Sequence, residues 1–184
     1  MWQGRTPTGC RDSLPWTSAR EPLPPSVRMP LPLRLRPFAK DDAAVVGPWL
    51  DGPGVSLPPG GAAHRWAERM CADPRVRAFV AQSDGEVAGF ARLDLGPDRV
   101  AELTIAVATG GRRCGVGSQL LQLVLVEAES LHIRRVQALV DPQNEPAMQF
   151  FESFGFEATA TVPGKVTFVR WLHGADPREL EVHV

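Results

Sequence analysis

A single α/β domain built on a mixed sheet is the fold this sequence predicts, on three observations. Segments of strand and helix character run in the order β-α-α-β-β-β-α-β-α-β-β, so the two kinds of element interleave along one chain. The stretch Gly110–Leu120, GGRRCGVGSQL, joins a long strand-like run to the longest helix-like run. The 184 residues, 43% of them hydrophobic, are enough for one core and short for two.

The elements follow from local pattern. Residues 1–28 are rich in Pro, Ser, Thr, Arg and Gly, carry isolated Trp2 and Trp16, and show no period of 2 or 3.6; they read as a disordered or loosely attached tail. Met29 stands just before the first patterned segment. Leu31–Pro37 alternates apolar and polar residues as a half-buried strand does. Asp41 or Asp42 reads as the N-cap of a helix reaching Leu50. Asp51–Gly61 (DGPGVSLPPGG) holds too many Gly and Pro to be anything but a loop. Ala62–Cys71 reads as a short helix with Trp66 and Met70 on one face.

Val76–Gln82 and Glu86–Leu95 form a hairpin across Asp84–Gly85, and a second turn at Gly96–Asp98 leads to the strand Arg99–Ala108. A helix over about Gly115–Ser130 gathers Leu120, Leu121, Val124 and Leu125 on one broad face. Arg135–Val140 is a further strand. The helix Asn144–Phe154 has Asn144 as its cap, Pro146 in its first turn and Gly155 just past its end. Phe156–Thr161 and Lys165–Leu172 are the last strands, joined at Pro163–Gly164, and residues 173–184 are unpatterned. The domain therefore runs over 29–172.

Composition narrows the function classes. A net charge of −1 gives no global pull toward nucleic acid or a membrane surface. Cys10, Cys71 and Cys114 are scattered without a CxxC, so they form neither a disulfide framework nor a metal site. The longest apolar run, around Leu120–Val126, is far short of a membrane span, and the N-terminus has no continuous apolar region of the signal-peptide kind. A cytoplasmic protein is expected.

Gly110–Leu120 is the candidate binding loop. Glycines let backbone N–H groups approach an anion, and a helix start adds unpaired donors and the positive end of its dipole. Arg112 and Arg113 bring charge. A P-loop would need a lysine after the glycines, and none is there. A dinucleotide fingerprint would need Gly or Ala where Leu120 stands. What remains is Arg-x-x-Gly-x-Gly, from Arg112, Gly115 and Gly117. Those glycines could equally make only a tight strand-to-helix turn, and Phe150, Phe151 and Phe154 fall on helical spacing that suits core packing.

The segment TIAVATGGRRCGVGSQLLQLVLVEA resembles the acetyl-CoA-binding core of the GNAT N-acyltransferases, and NEPAMQFFESFGF resembles that family's downstream signature. Both motifs stand in the expected order and context. The resemblance covers roughly Leu31–Trp171 and is strongest after Ala88. It implies a mostly antiparallel twisted sheet flanked by helices and splayed at its central parallel strands. It implies acetyl-CoA as cosubstrate, with no metal. Backbone groups of Arg112, Arg113, Cys114, Gly115, Val116, Gly117 and Ser118 would cradle the pyrophosphate; Ile105 and Val107 would offer theirs to the pantetheine arm like an added strand. Asn144, an N-cap in any case, would contact the cofactor near its pantetheine end, and Phe151 would pack beside it.

The acyl group in this family passes directly from CoA to an amine, here a small molecule or a protein N-terminus or lysine. The amine must lose a proton first, and an acid then protonates the leaving thiolate. Glu102, on the strand leading into the loop, is the candidate base; a solvated strand carboxylate is the other reading. The family's usual acid is a tyrosine, and that position is Phe151 in a chain with no tyrosine. Either the thiolate leaves unassisted, or water, Ser153 or another side chain substitutes, or the domain binds acyl-CoA in a regulatory role with little catalysis. His64, near the Gly/Pro loop, is a remote second base, and His132 at a helix end suits the dipole there. Arg92 and Asp94, on the hairpin strand, are further candidates to face the cleft. The sequence is compatible with a homodimer.

Overall fold

A computed structural model of the protein describes residues 32–50 and 63–172. The stretches 1–28, 51–61 and 173–184, with the tails and the loop assigned to them above, lie outside the described residues.

The chain folds in the expected order: β1 (Arg34–Pro37), α1 (Ala43–Leu50), α2 (Ala63–Ala72), β2 (Val76–Ser83), β3 (Glu86–Leu95), β4 (Val100–Val107), α3 (Val116–Ser130), β5 (Arg135–Val140), α4 (Glu145–Ser153), β6 (Glu157–Val162) and β7 (Lys165–Trp171). The sheet has seven strands in the order β1-β2-β3-β4-β5-β7-β6. Every pairing is antiparallel except β4 with β5.

Local chemistry explains the turns. Asp84 and Gly85 both take positive φ, 51° and 84°, which the tight β2–β3 hairpin requires. Asn144 Oδ1 accepts the Ala147 N–H at 3.2 Å, and Gly155 leaves α4 at φ 73°. Asp42 is not the simple N-cap expected. It closes a turn of 3-10 helix at Lys40–Asp42, and its carboxylate reaches back. It accepts two Arg36 guanidinium bonds at 2.7 Å and the Ala39 N–H at 2.8 Å. Arg36 lies on β1, so this ion pair fastens the edge strand to the start of α1.

The helices cover both faces. On one, Val46 and Leu50 of α1 and Trp66 and Met70 of α2 pack with Phe38 onto Val80, Phe90 and Ala106. On the other, Leu120, Leu121, Val124 and Leu125 of α3 meet Leu93, Leu103, Val136 and Ala138, with Phe151 and Phe168 in the same core. The α3 helix lies close to β3: a Cβ on Gly89 would stand 2.7 Å from Leu120 Cδ2.

Candidate active site

The strands β4 and β5 pair only at Val100–Arg135, Ala101–Val136 and Glu102–Gln137. Past Glu102 they part, and β5 continues against β7 alone. The gap is a cleft of about 180 Å³. One wall is Glu102–Ile105 and the other Ala138–Asp141, with Asn144, Phe150, Phe151 and Lys165 closing it.

The backbone parity of β4 decides which groups face the cleft. The Ala108 N–H donates to Ala88 O and Val100 O accepts from Gly96, so even-numbered residues turn their peptide groups to β3. Arg99 O accepts from Arg134, so odd-numbered residues turn theirs to β5. Ile105 and Val107 lie beyond the last β5 pair, so their peptide groups face the opened gap. These are the two residues singled out from the sequence.

At the mouth of the cleft, Arg113 and Gly115 both adopt the left-handed region, at φ 59° and 81°, and α3 begins at Val116. Helix geometry leaves the N–H groups of Val116, Gly117 and Ser118 without carbonyl partners inside the helix. Those donors and the dipole make an anion nest beside the cleft. Gly117 packs inward, since a Cβ there would meet Val107 Cγ2 at 3.5 Å and Phe150 at 3.6 Å. The exposed Arg112 side chain folds back, with its Nε 3.5 Å from Val107 O. The exposed Cys114 Sγ lies 4.0 Å from Gly110 O.

Glu102 lines both this cleft and a second, larger cavity of about 520 Å³. The larger cavity also has Arg75, Asp94, Asp98, Arg135 and Gln137 in its walls. Burial pushes the Glu102 carboxyl above the usual carboxylate range, and Asp94 adds to that rise. Arg92 and the Gln137 hydrogen bond act against it. Asp94 is Glu102's register partner on β3 and ion-pairs with Arg92.

Phe151 lines the cleft but sits in an aromatic cluster, 5.4 Å from Phe150, 5.1 Å from Phe156 and 6.1 Å from Phe168 by ring centroids. The position has both characters considered above, core and cleft wall. The exposed Ser153 hydroxyl, at the end of α4, donates to Phe150 O at 2.7 Å, and Ser153 lines neither cavity. Asn144 lines the cleft while its Oδ1 caps α4. His64 falls in α2, and exposed His132 takes φ 58° just past α3. His132 lines neither cavity. Sequence reasoning missed Gln137, Arg135 and Lys165, which reach the site only through strand pairings distant in sequence. Among the described residues no His, Cys, Asp and Glu cluster could hold a metal ion, and no helix is long and apolar enough to cross a membrane.

Comparison with known proteins agrees with this architecture. The acetyltransferase (GNAT) family model matches residues 48–156, more than half of the chain. An L-amino acid N-acetyltransferase of Escherichia coli is 31% identical over 103 residues, 53% of this chain and 64% of that protein. The chain thus spans less than two thirds of the length of the curated relatives it matches. An acetyltransferase from Thermus thermophilus superposes with a TM-score of 0.66 at 26% identity, over 78% of this chain and 99% of that one. A GCN5-related N-acetyltransferase from Kribbella flavida gives 0.67 at 25% identity, over 77% and 98%.

Proposed function

The chain belongs to the acetyltransferase (GNAT) family, and on that premise we propose that it transfers an acetyl group from acetyl-CoA to a primary amine by direct attack. The observation that carries this reading is that Glu102 lines both cavities. A thioester in the cleft and an amine in the larger cavity would meet beside one carboxylate whose burial raises its proton affinity.

In this reading the acyltransferase domain occupies residues 29–172. The nest at Arg112–Ser118 holds the pyrophosphate through backbone N–H groups, and the pantetheine arm pairs with Ile105 and Val107 as a strand would. Glu102 accepts the amine proton, directly or through one water. The neutral amine attacks the thioester carbon, and a backbone N–H facing the cleft stabilises the oxyanion. Collapse of that intermediate expels the thiolate. With phenylalanine at position 151 the thiolate leaves without help from that side chain, which a thiol of pKa about 8.5 permits. Asn144 borders the pantetheine end. The amine belongs to a small molecule or to a protein N-terminus or lysine, and the protein works in the cytoplasm as a monomer or homodimer.

Thiol release from acetyl-CoA, followed across a panel of primary amines, tests the reaction. Amine-dependent release is the expected result; tight CoA binding with no release on any amine would sink it. That outcome would favour a second reading, an acyl-CoA-binding domain without turnover, which rests on the packing of Phe151 in the aromatic cluster. Phe151→Tyr addresses the same point. It adds a proton donor to the cleft wall, and kcat should rise several-fold if thiolate departure limits the rate.

A further inference from the structure

Most charged groups in the walls of the larger cavity are paired within the protein. Asp73 pairs with Arg75 at 3.2 Å, and Asp94 pairs with Arg92, so those charges are matched within the protein. Asp98 is exposed at the rim. Apart from Asp98, that leaves one carboxylate and one cation in the walls, Glu102 and Arg135. Among the described residues no carboxylate lies within ion-pair distance of Arg135.

Arg135 is also held in place. Its Cζ lies 5.5 Å from the centroid of the Trp171 ring, its register partner on β7. Its Nε is buried and has no hydrogen-bond partner among the described residues. The side chain therefore spends burial and rotamer freedom without receiving a protein anion in return, which is costly unless an anion arrives from outside. Glu102 pairs with Gln137, and Arg135 lies on the same face of β5 two residues earlier. At ~3.3 Å per residue, the two positions are about 7 Å apart along the strand, a span that side chains and one small molecule can bridge.

We propose that the acceptor is a small amine that carries its own carboxylate, an amino acid in chemical class, with the carboxylate against the Arg135 guanidinium and the amine at Glu102. This rests on the acetyl-transfer reading of the same site and narrows it. A polyamine or a lysine side chain within a protein would bring no anion to Arg135. A free amino acid brings one at a fixed, short distance from the nucleophile, so the guanidinium orients the amine as well as binding it.

The test pairs each of the twenty L-amino acids with its α-carboxamide. Acetyl transfer is measured by kinetics, and binding to the CoA-loaded protein by calorimetry. At least one acid should be acetylated with a kcat/KM at least about tenfold above its amide. Arg135→Gln should lower kcat/KM for that acid at least about tenfold, through KM and kcat together, and so erase its advantage over the amide; Arg135→Lys should restore part of the loss. Circular dichroism of both variants checks the β5–β7 packing. Transfer to amines with no preference for a carboxylate overturns this inference and leaves the reaction standing. Carboxylate binding that Arg135→Gln abolishes, with no turnover on any amine, supports the site and overturns the reaction. Neither transfer nor carboxylate binding overturns both.

Discussion

In the proposed reaction Glu102 is under two opposed demands. As a base it must be ionised when the amine arrives, and burial beside Asp94 makes ionisation unfavourable. The compromise is a raised pKa, which favours taking a proton at the working pH and costs the fold something above it. Both consequences are measurable. Glu102→Gln should lower kcat by about 10²-fold or more, as expected for loss of a positioned base, with CoA affinity little changed. The wild-type rate should fall as pH drops through the raised Glu102 pKa, and the variant should lack that limb. The stability effect has the reverse sign. A carboxyl whose folded pKa lies above its unfolded value stabilises the fold only while protonated, so the wild type loses stability as pH rises through that range. Glu102→Gln, always neutral, should therefore melt higher than wild type at neutral pH, with the gap closing below about pH 4.3, the ordinary glutamate value. Equal melting points at pH 7 would remove burial as the cause.

Elements were legible in the chain where their causes are local, and their partnerships were not. Asn144 and Gly155 mark the ends of α4 because a side-chain cap and a left-handed residue act within a few positions of themselves. Asp84–Gly85 sets its hairpin for the same reason. Ile105, Val107 and Glu102 were singled out through the family resemblance, and all three fall on β4, where Glu102 and Ile105 line the cleft. Arg135 and Gln137 were not, since only the parallel β4–β5 pairing brings them to Glu102 across more than thirty residues of chain. The role of Asp42 was misread because its partner Arg36 acts across the β1–α1 junction. Asp42→Asn should cost about 1–3 kcal/mol at neutral pH by unpairing a charge-assisted bond. Arg36 holds the Asp42 pKa down, so the deficit should persist to about pH 4 and shrink as pH falls through the lowered value. Gly89 is another non-local case: it looks like an ordinary strand glycine, yet α3 crosses it. Gly89→Ala must displace the fully buried Leu120 side chain, and a loss of about 1–3 kcal/mol in chemical denaturation is expected.

At the scale of the whole molecule, the sheet is two antiparallel halves joined by three parallel pairs and roofed by α3 and α4. The half with β1–β4 carries the backbone edge, and the half with β5–β7 carries Phe151's aromatic bed and Arg135. A ligand in the gap would complete the sheet where the protein leaves it unpaired. That gives a signature with residue resolution. In the free protein the amides of Ile105 and Val107 face the cleft, while those of Thr104 and Ala106 already face β3. Saturating CoA should slow hydrogen exchange at Ile105 and Val107 at least tenfold and leave the even-numbered amides governed by global opening alone. At a hundredfold excess over its Kd, CoA should add about 2.7 kcal/mol of stability. For a domain of this size that is about 5–10 °C in Tm. The two readouts separate the possibilities. A Tm rise without the odd–even alternation would mean that CoA binds the nest at Arg112–Ser118 but does not lie along β4. Alternation with a large Tm rise means that the cofactor acts as the strand missing between the two halves.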